Sequence, residues 1–301
     1  MKRTNVLKKR KIKESITGWL FVAPLIIGVF LFLAFPLGYA FVISFWKYQN
    51  FQFIEFVGLN NYKEILYDEF FMQGMINILI SCIGVPIGMF IALILTNIIV
   101  ANPKCSIIFK TLYYIPTICG AVAITFIWQW LYAPMYGLIN KFLMETGLIK
   151  ESISFLGRKY FLVSMMVMGI WSGMGTSILL LFASLKNVSK QLYEAASIDG
   201  ANFVQKFVHI TLPAVSPTTF YILITGISGT LQEFTRFKVM RGDNLNLWSA
   251  TPAWWIYYNT TAQSGFNYGY ASAMGIFLGL IILIVSALQF VGSRLWVNYD
   301  A

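Results

Sequence analysis

Two short stretches of this sequence combine residue types that could hold a polar solute inside an otherwise apolar chain. One is WSGMGTS, at the beginning of a long apolar run, where Ser172, Gly173, Thr176 and Ser177 join small size to hydroxyl groups. The other holds Gly229, Thr230, Gln232 and Glu233, spaced so that Thr230 and Glu233 share a helical face. Arg236 follows Glu233 by three residues on that face, with Lys238 and Arg241 beyond it. Polar and ionisable groups in apolar spans are costly and tend to face a cavity or a partner charge, so these residues point to reversible binding through hydrogen bonds and charge. Small residues also let helices pack closely, which is the alternative at Gly173, Thr176, Gly229 and Thr230. Glu233 and Asp243 can equally pair with the neighbouring cations. Bond-making chemistry has less support, because the single histidine, His209, sits among apolar residues and the carboxylates are isolated. Cys82, Cys105 and Cys119 show neither metal-ligand spacing nor a disulfide framework.

The elements that must position these residues are membrane helices. Of 301 residues, 58% are hydrophobic, 17% aromatic and 11% charged, whereas a soluble domain carries about 25% charged residues. Apolar runs long enough to cross about 30 Å of hydrocarbon as hydrogen-bonded helices are expected at about 16–46, 75–100, 108–133, 160–185, 214–235 and 268–292. The first is too long for a signal-peptide core and is read as a retained span. Pro24, Pro36, Pro86 and Pro116 fall inside these runs and predict kinked rather than broken helices. Trp46, Trp128, Trp130, Trp254 and Trp255 lie near expected span ends, where anchoring at the interface is the default. The segment from about Lys47 to Gly74 is expected to lie along that interface. No segment is long enough for an independent soluble core, so residues 1–301 are read as one all-α membrane domain.

Charge orients it. The net charge is +10, and seven of the 22 basic residues crowd into the first 13 positions, a topology signal rather than a nucleic-acid surface. With residues 1–15 as a cytoplasmic tail and six crossings, the inner segments hold 13 basic residues against the four acids Glu14, Glu194, Asp199 and Asp300. The outer segments hold nine basic residues against eight acids. The asymmetry predicts that both termini face the cytoplasm.

The inner segment at about 186–213, KNVSKQLYEAASIDGANFVQKFVHITLP, is long and helix-compatible. Ser189 is an expected N-cap, with Tyr193, Ala195, Ala196 and Ile198 as an apolar side. Gly200 can take the left-handed backbone that ends one short helix, and Asn202 to Thr211 would form a second that Pro213 stops.

EAASIDG followed by ITLP resembles the EAA loop of bacterial binding-protein-dependent ABC importers, with Glu194, Ala195, Ala196, Asp199, Gly200, Leu212 and Pro213 in the motif. FVGLNNY at 56–62, APMYGLIN at 133–140, GTLQEF at 229–234 and the segment at 266–290 are similar to the carbohydrate-type permeases of that family. A glycine-rich turn common after the fifth span is replaced by Met240, Arg241, Gly242 and Asp243.

The resemblance implies a type I importer permease fold in a bacterial cytoplasmic membrane, with the loop as a coupling helix gripped by an ATPase. It implies a second related permease, two ATPase subunits that bind ATP and magnesium, an extracytoplasmic binding protein and a sugar substrate. This chain has no phosphate loop and would hold no cofactor itself. Alignment with maltose-type permeases puts Gly173, Thr176, Gly229, Thr230 and Glu233 on substrate-contacting positions. The outward cations Arg236, Lys238 and Arg241 open an acidic sugar as one possibility; another solute such as glycerol phosphate is an alternative. A secondary transporter, a channel or a membrane enzyme are the rival classes.

Overall fold

The computed structural model describes residues 2–101 and 106–298. Lys104, Cys105 and Asp300 lie outside the described residues. The chain divides into two compact units, Met1–Glu64 with Tyr258–Ile276, and Ile65–Tyr257 with Phe277–Ala301.

The first unit opens with α1, Lys2–Val29, which passes through a π-helical turn at Phe30–Ala34 into α2, Phe35–Ile43. The turn has a local cause. Pro36 cannot donate a backbone hydrogen bond and its ring crowds the carbonyl four residues back, so the helix widens there and Phe35 N–H reaches Phe30 O instead. Next comes a hairpin of β1, Trp46–Gln49, and β2, Gln52–Phe56, and then α3, Asn60–Ile65. This hairpin corrects the all-α expectation, and it ends the first span at Ile43 rather than at 46. Its register shifts between Lys47 and Tyr48, so Phe53 and Phe56, three residues apart, both bring their rings to Trp46, at 5.3 Å.

In the second unit, α4 covers Glu69–Cys82 and α5 covers Gly84–Ala101. The N-cap Asp68 accepts from Phe71 N–H, so the second span begins earlier than the expected 75. α6, Ser106–Ile118, and α7, Ala121–Leu131, meet at 109°. That break corrects the expected single kinked span at 108–133: Pro116 and Gly120 both disfavour continuous helix there. α8, Leu138–Glu145, leads to α9, Phe161–Lys186, the long helix against which α5 and α6 pack. Gly175 makes the α6 crossing possible, because a Cβ there would overlap the Tyr113 carbonyl oxygen.

The chain continues through α10, Lys190–Ile198, and α11, Phe203–Lys206, to a second π turn at Phe207–Thr211 and α12, Leu212–Ala214. Here Leu212 N–H reaches Phe207 O just before Pro213, the arrangement seen before Pro36. Pro213 therefore does not stop the helix as expected. The break comes at Val215, beyond which α13, Ser216–Leu231, departs at 67°. Then come α14, Thr235–Arg241, α15, Pro252–Asn259, and α16, Tyr268–Ser293, whose first residues belong to the first unit.

Among the described residues, four helical stretches have the length and apolarity to cross a membrane: Lys13–Ile43, Glu69–Val100, Phe161–Lys186 and Tyr268–Ser293. Counting each bent pair as one span raises the number to six. The second unit has two apolar clusters, one around Ile78, Trp128, Phe161, Met168, Leu231 and Trp254, the other around Leu93, Ile178, Leu181, Val215 and Ile222. Trp254, only 1% exposed, and the buried Trp128 are core residues, not the interfacial anchors their positions suggested.

Candidate functional site

Between α5, α9, α13 and the start of α14 lies a cavity of about 610 Å³. Seven of the nine residues expected to meet a solute line it: Gly173, Thr176, Ser177, Gly229, Thr230, Glu233 and Arg236. The other two do not. Ser172 Oγ donates to Gly169 O at 3.2 Å and Gln232 Nε2 to Ser228 O at 3.0 Å, so both turn back onto their own helices. WSGMGTS lies in the middle of α9, not at its beginning.

Sequence reasoning missed Tyr221 and Thr225 on the same wall. Their signal was available: Tyr221, Thr225 and Gly229 recur every four residues, one face of α13, while Glu233, expected on the same face, lies past the helix end. Methionines 89, 165, 166 and 174 complete much of the lining, and their unbranched side chains can adapt to a solute.

Glu233 lies beyond the last residue of α13, Leu231, where the chain turns towards α14. Its Oε1 accepts from Arg236 N–H at 3.1 Å, and its Oε2 lies 3.6 Å from Arg236 Nε. Thr251 Oγ1 donates to the Glu233 carbonyl at 3.0 Å and accepts from Trp254 N–H at 3.2 Å. The pair is thus fixed from both sides, with side chains only 20% and 29% exposed. The other two cations of the sequence reading do not line the cavity: Lys238 pairs with Asp243, and the Arg241 guanidinium lies 4.5 Å over Trp248. Burial lowers the Arg241 pKa from its usual value.

A second constellation follows α9. Ser189 caps α10, its hydroxyl accepting from Gln191 N–H at 3.3 Å. At the other end Gly200 has φ +75°, with Gly200 N–H to Ser197 O at 3.2 Å and Ala201 N–H to Ala196 O at 2.9 Å. That pair of bonds needs a left-handed residue at the position of Gly200. Asn202 and Gln205 then form a reciprocal capping box that starts α11. Two side-chain bonds tie the helices together: Lys206 Nζ donates to Ser197 Oγ at 2.7 Å, and the hydroxyls of Tyr193 and Thr211 are 2.9 Å apart. His209 Nδ1 is 3.0 Å from Gln205 O in its own helix.

Glu194, Ala195, Asp199, Gly200 and Leu212 are exposed, while Ala196 and Pro213 are half-buried. The expected apolar side of α10 does not pack inward, since no residue of this helix is buried. Instead Ile198, 87% exposed, and Phe203, 72% exposed, present an apolar patch outward.

Residues 84–295 match the model of the family described as binding-protein-dependent transport system inner membrane component. The chain is 31% identical to a probable ABC transporter permease protein, YesP, of Bacillus subtilis strain 168, over 98% of this chain and 96% of that protein. It is 32% identical to the arabinooligosaccharides transport system permease protein AraP of the same organism, over 92% of this chain and 88% of that protein. Identity to the lactose transport system permease protein LacF of Rhizobium radiobacter is 28%, over 93% and 95% of the two chains. In fold it is similar to a chain of a bacterial ABC transporter involved in the import of the acidic polysaccharide alginate, with a TM-score of 0.80 at 22% identity, covering 95% of this chain and 97% of that one.

Proposed function

Because the chain belongs to the family of binding-protein-dependent transport system inner membrane components, we propose that it is the permease subunit of an ATP-driven importer of oligosaccharides. It crosses a bacterial cytoplasmic membrane six times with both termini inside. A second permease completes the pore, two ATPase subunits hold ATP and magnesium, and an extracytoplasmic binding protein delivers the sugar. The relatives named for lactose and arabinooligosaccharide transport support the substrate class.

The observation that carries the reading is the exposed helix pair of α10 and α11. The nine-residue helix α10 has no buried residue, exposes the apolar Ile198 at its end with the exposed Phe203 beyond it, and is nonetheless capped at both ends. Such an element suits a groove on another protein. Glu194 and Asp199 would meet cations there, and the small Ala195 and Ala196 allow close approach. Displacement of this lever by closure of the ATPases would be passed through α12 into α13, one wall of the cavity. The cavity would then open outward to receive sugar and return inward on hydrolysis. Tyr221, Thr225, Thr230 and Thr176 would bond sugar hydroxyls.

A second reading, an anionic sugar, is favoured by Arg236 lining the cavity. Against it, the Glu233 carboxylate already holds that guanidinium. Uptake by the native importer, reconstituted in proteoliposomes, of labelled neutral and uronate oligosaccharides tests both. The expected result is ATP-dependent entry of neutral oligosaccharide. Uptake that persists without the ATPase would refute the importer assignment. A uronate preference abolished by Arg236→Ala would select the anionic reading.

A further inference from the structure

The turn after α16 meets the first residue of α13, and the transport reading gives that junction no task. Beyond α16, Trp296 N–H and Val297 N–H both donate to Ser293 O, at 3.1 and 2.8 Å. The turn brings Asn298 to α13, where its backbone N–H donates to Ser216 Oγ at 2.8 Å, and Ser216 Oγ donates onward to Pro213 O at 2.7 Å. Ser216 is 2% exposed, so this relay is shielded from water. Rings reinforce it: Phe220 of α13 packs against Phe290 at 5.2 Å and Trp296 at 6.2 Å.

The bond falls at the bend between the lever and α13. At Val215, φ −95° and ψ 3°, regular helix is interrupted between α12 and α13, which meet at 67°. Pro213 has no N–H to contribute, and a π turn lies immediately before it. Across the bend run Val215 N–H to Thr211 O at 3.1 Å and Thr219 N–H to Val215 O at 2.9 Å. These are fewer bonds than unbroken helix carries, so the joint bends more easily and would absorb part of a push on α10 instead of passing it on. The turn after α16 supplies bonds that the joint lacks.

We propose that Trp296–Asn298 is a strap that stiffens the joint between the lever and α13, with Ser216 as the positioning residue. Movement of α10 then turns the cavity wall as one piece with α13. The inference rests on the coupling role proposed for α10.

The discriminating variant is Asn298→Pro, which deletes the donor N–H at an exposed residue outside the core, with Asn298→Ala as the control that keeps it. Ser216→Ala removes the relay from the other side. In the reconstituted importer with native cysteines replaced by serine, nitroxide labels at Gln191→Cys, an exposed position of α10 outside the docking motif, and Leu288→Cys report the lever's distance to the spans, with and without trapped ATP.

Wild type and Asn298→Ala are expected to give one narrow distance that shifts on trapping. Asn298→Pro and Ser216→Ala are expected to broaden it and to reduce the population that shifts by about fivefold, as for loss of one hydrogen bond. ATP hydrolysis is expected to continue. A narrow distance in Asn298→Pro, or a broad one with the full ATP-driven shift, overturns the strap. Loss of folded complex in Ser216→Ala leaves Asn298→Pro to decide. If wild type itself shows no ATP-driven shift, the coupling reading falls, and the distance measured without ATP still judges the strap's stiffness.

Discussion

The cavity wall and the lever are built on opposite terms. In the helices that form the cavity, segments distant in sequence are pressed together, as where α6 crosses α9 at Gly175. In the lever, nearly every stabilising bond is local: the Ser189 cap, the turn at Gly200 and the Asn202–Gln205 box each span only a few residues. Packing of the first kind fixes a shape that a solute can read. Local bonding of the second kind keeps a short helix intact while none of its residues is buried. The two regions should therefore fail differently, the wall by loss of fold and the lever by loss of function in a folded chain.

The largest contrast is expected at the two glycines. A valine at Gly175 would place its Cβ in the Tyr113 carbonyl, a backbone atom that cannot swing aside as a side chain does. Overpacking of this kind costs about 1–3 kcal/mol and occasionally more, so Gly175→Val is expected to lose most of its monodisperse protein on size exclusion in detergent. A Gly175→Val peak indistinguishable from wild type would mean that the α6–α9 crossing yields, and the contrast would lose its first half.

Gly200→Val comes next. Nothing lies within 4 Å of a Cβ there, so the penalty is the left-handed backbone alone, about 1–2 kcal/mol for a residue with a side chain. The expected outcome is normal insertion and elution but no ATP-driven uptake and no stimulated hydrolysis, because the turn between α10 and α11 is lost. Normal coupled uptake would refute the role given to the lever. The two variants measured side by side separate a steric cost from a conformational one.

This division also explains what the amino-acid sequence disclosed. In the α10–α11 segment the cap at Ser189 and the turn at Gly200 were legible, since these signals are carried within one short window. The long apolar helices were legible to within several residues, because apolar runs need no partners to be recognised. Breaks were not. Pro116 and Pro213 look alike in sequence, yet the chain turns sharply just beyond Pro116 and runs on through Pro213 to Val215. Whether a proline kinks or breaks a helix depends on what receives the freed carbonyls, and those partners lie elsewhere. The same holds for Trp128 and Trp254, whose burial is decided by helices far along the chain. At the cavity, Glu233 and Arg236 were legible as a pair, whereas the place of Ser172 and Gln232 off its lining depends on which side of each helix its neighbours cover, and that is set by distant segments.

The smallest effect is expected at the contact that joins the lever to its base. Tyr193 is the half-buried residue of α10 whose hydroxyl meets Thr211, itself 2% exposed. Tyr193→Phe removes one hydroxyl and keeps the ring. Thr211 Oγ1 keeps a weak alternative acceptor in Lys206 O at 3.4 Å, so the loss should stay near the lower end of the usual range, about 0.5–1 kcal/mol. Amide exchange then reports where that loss is felt. If α10 opens as a local unit, its amides from Leu192 to Ala196 should exchange up to about fivefold faster while those of α9 and α13 keep their wild-type rates. Faster exchange along the cavity wall as well would show that lever and wall open together, in which case a push on α10 could reach the cavity by loosening it, with no rigid joint required.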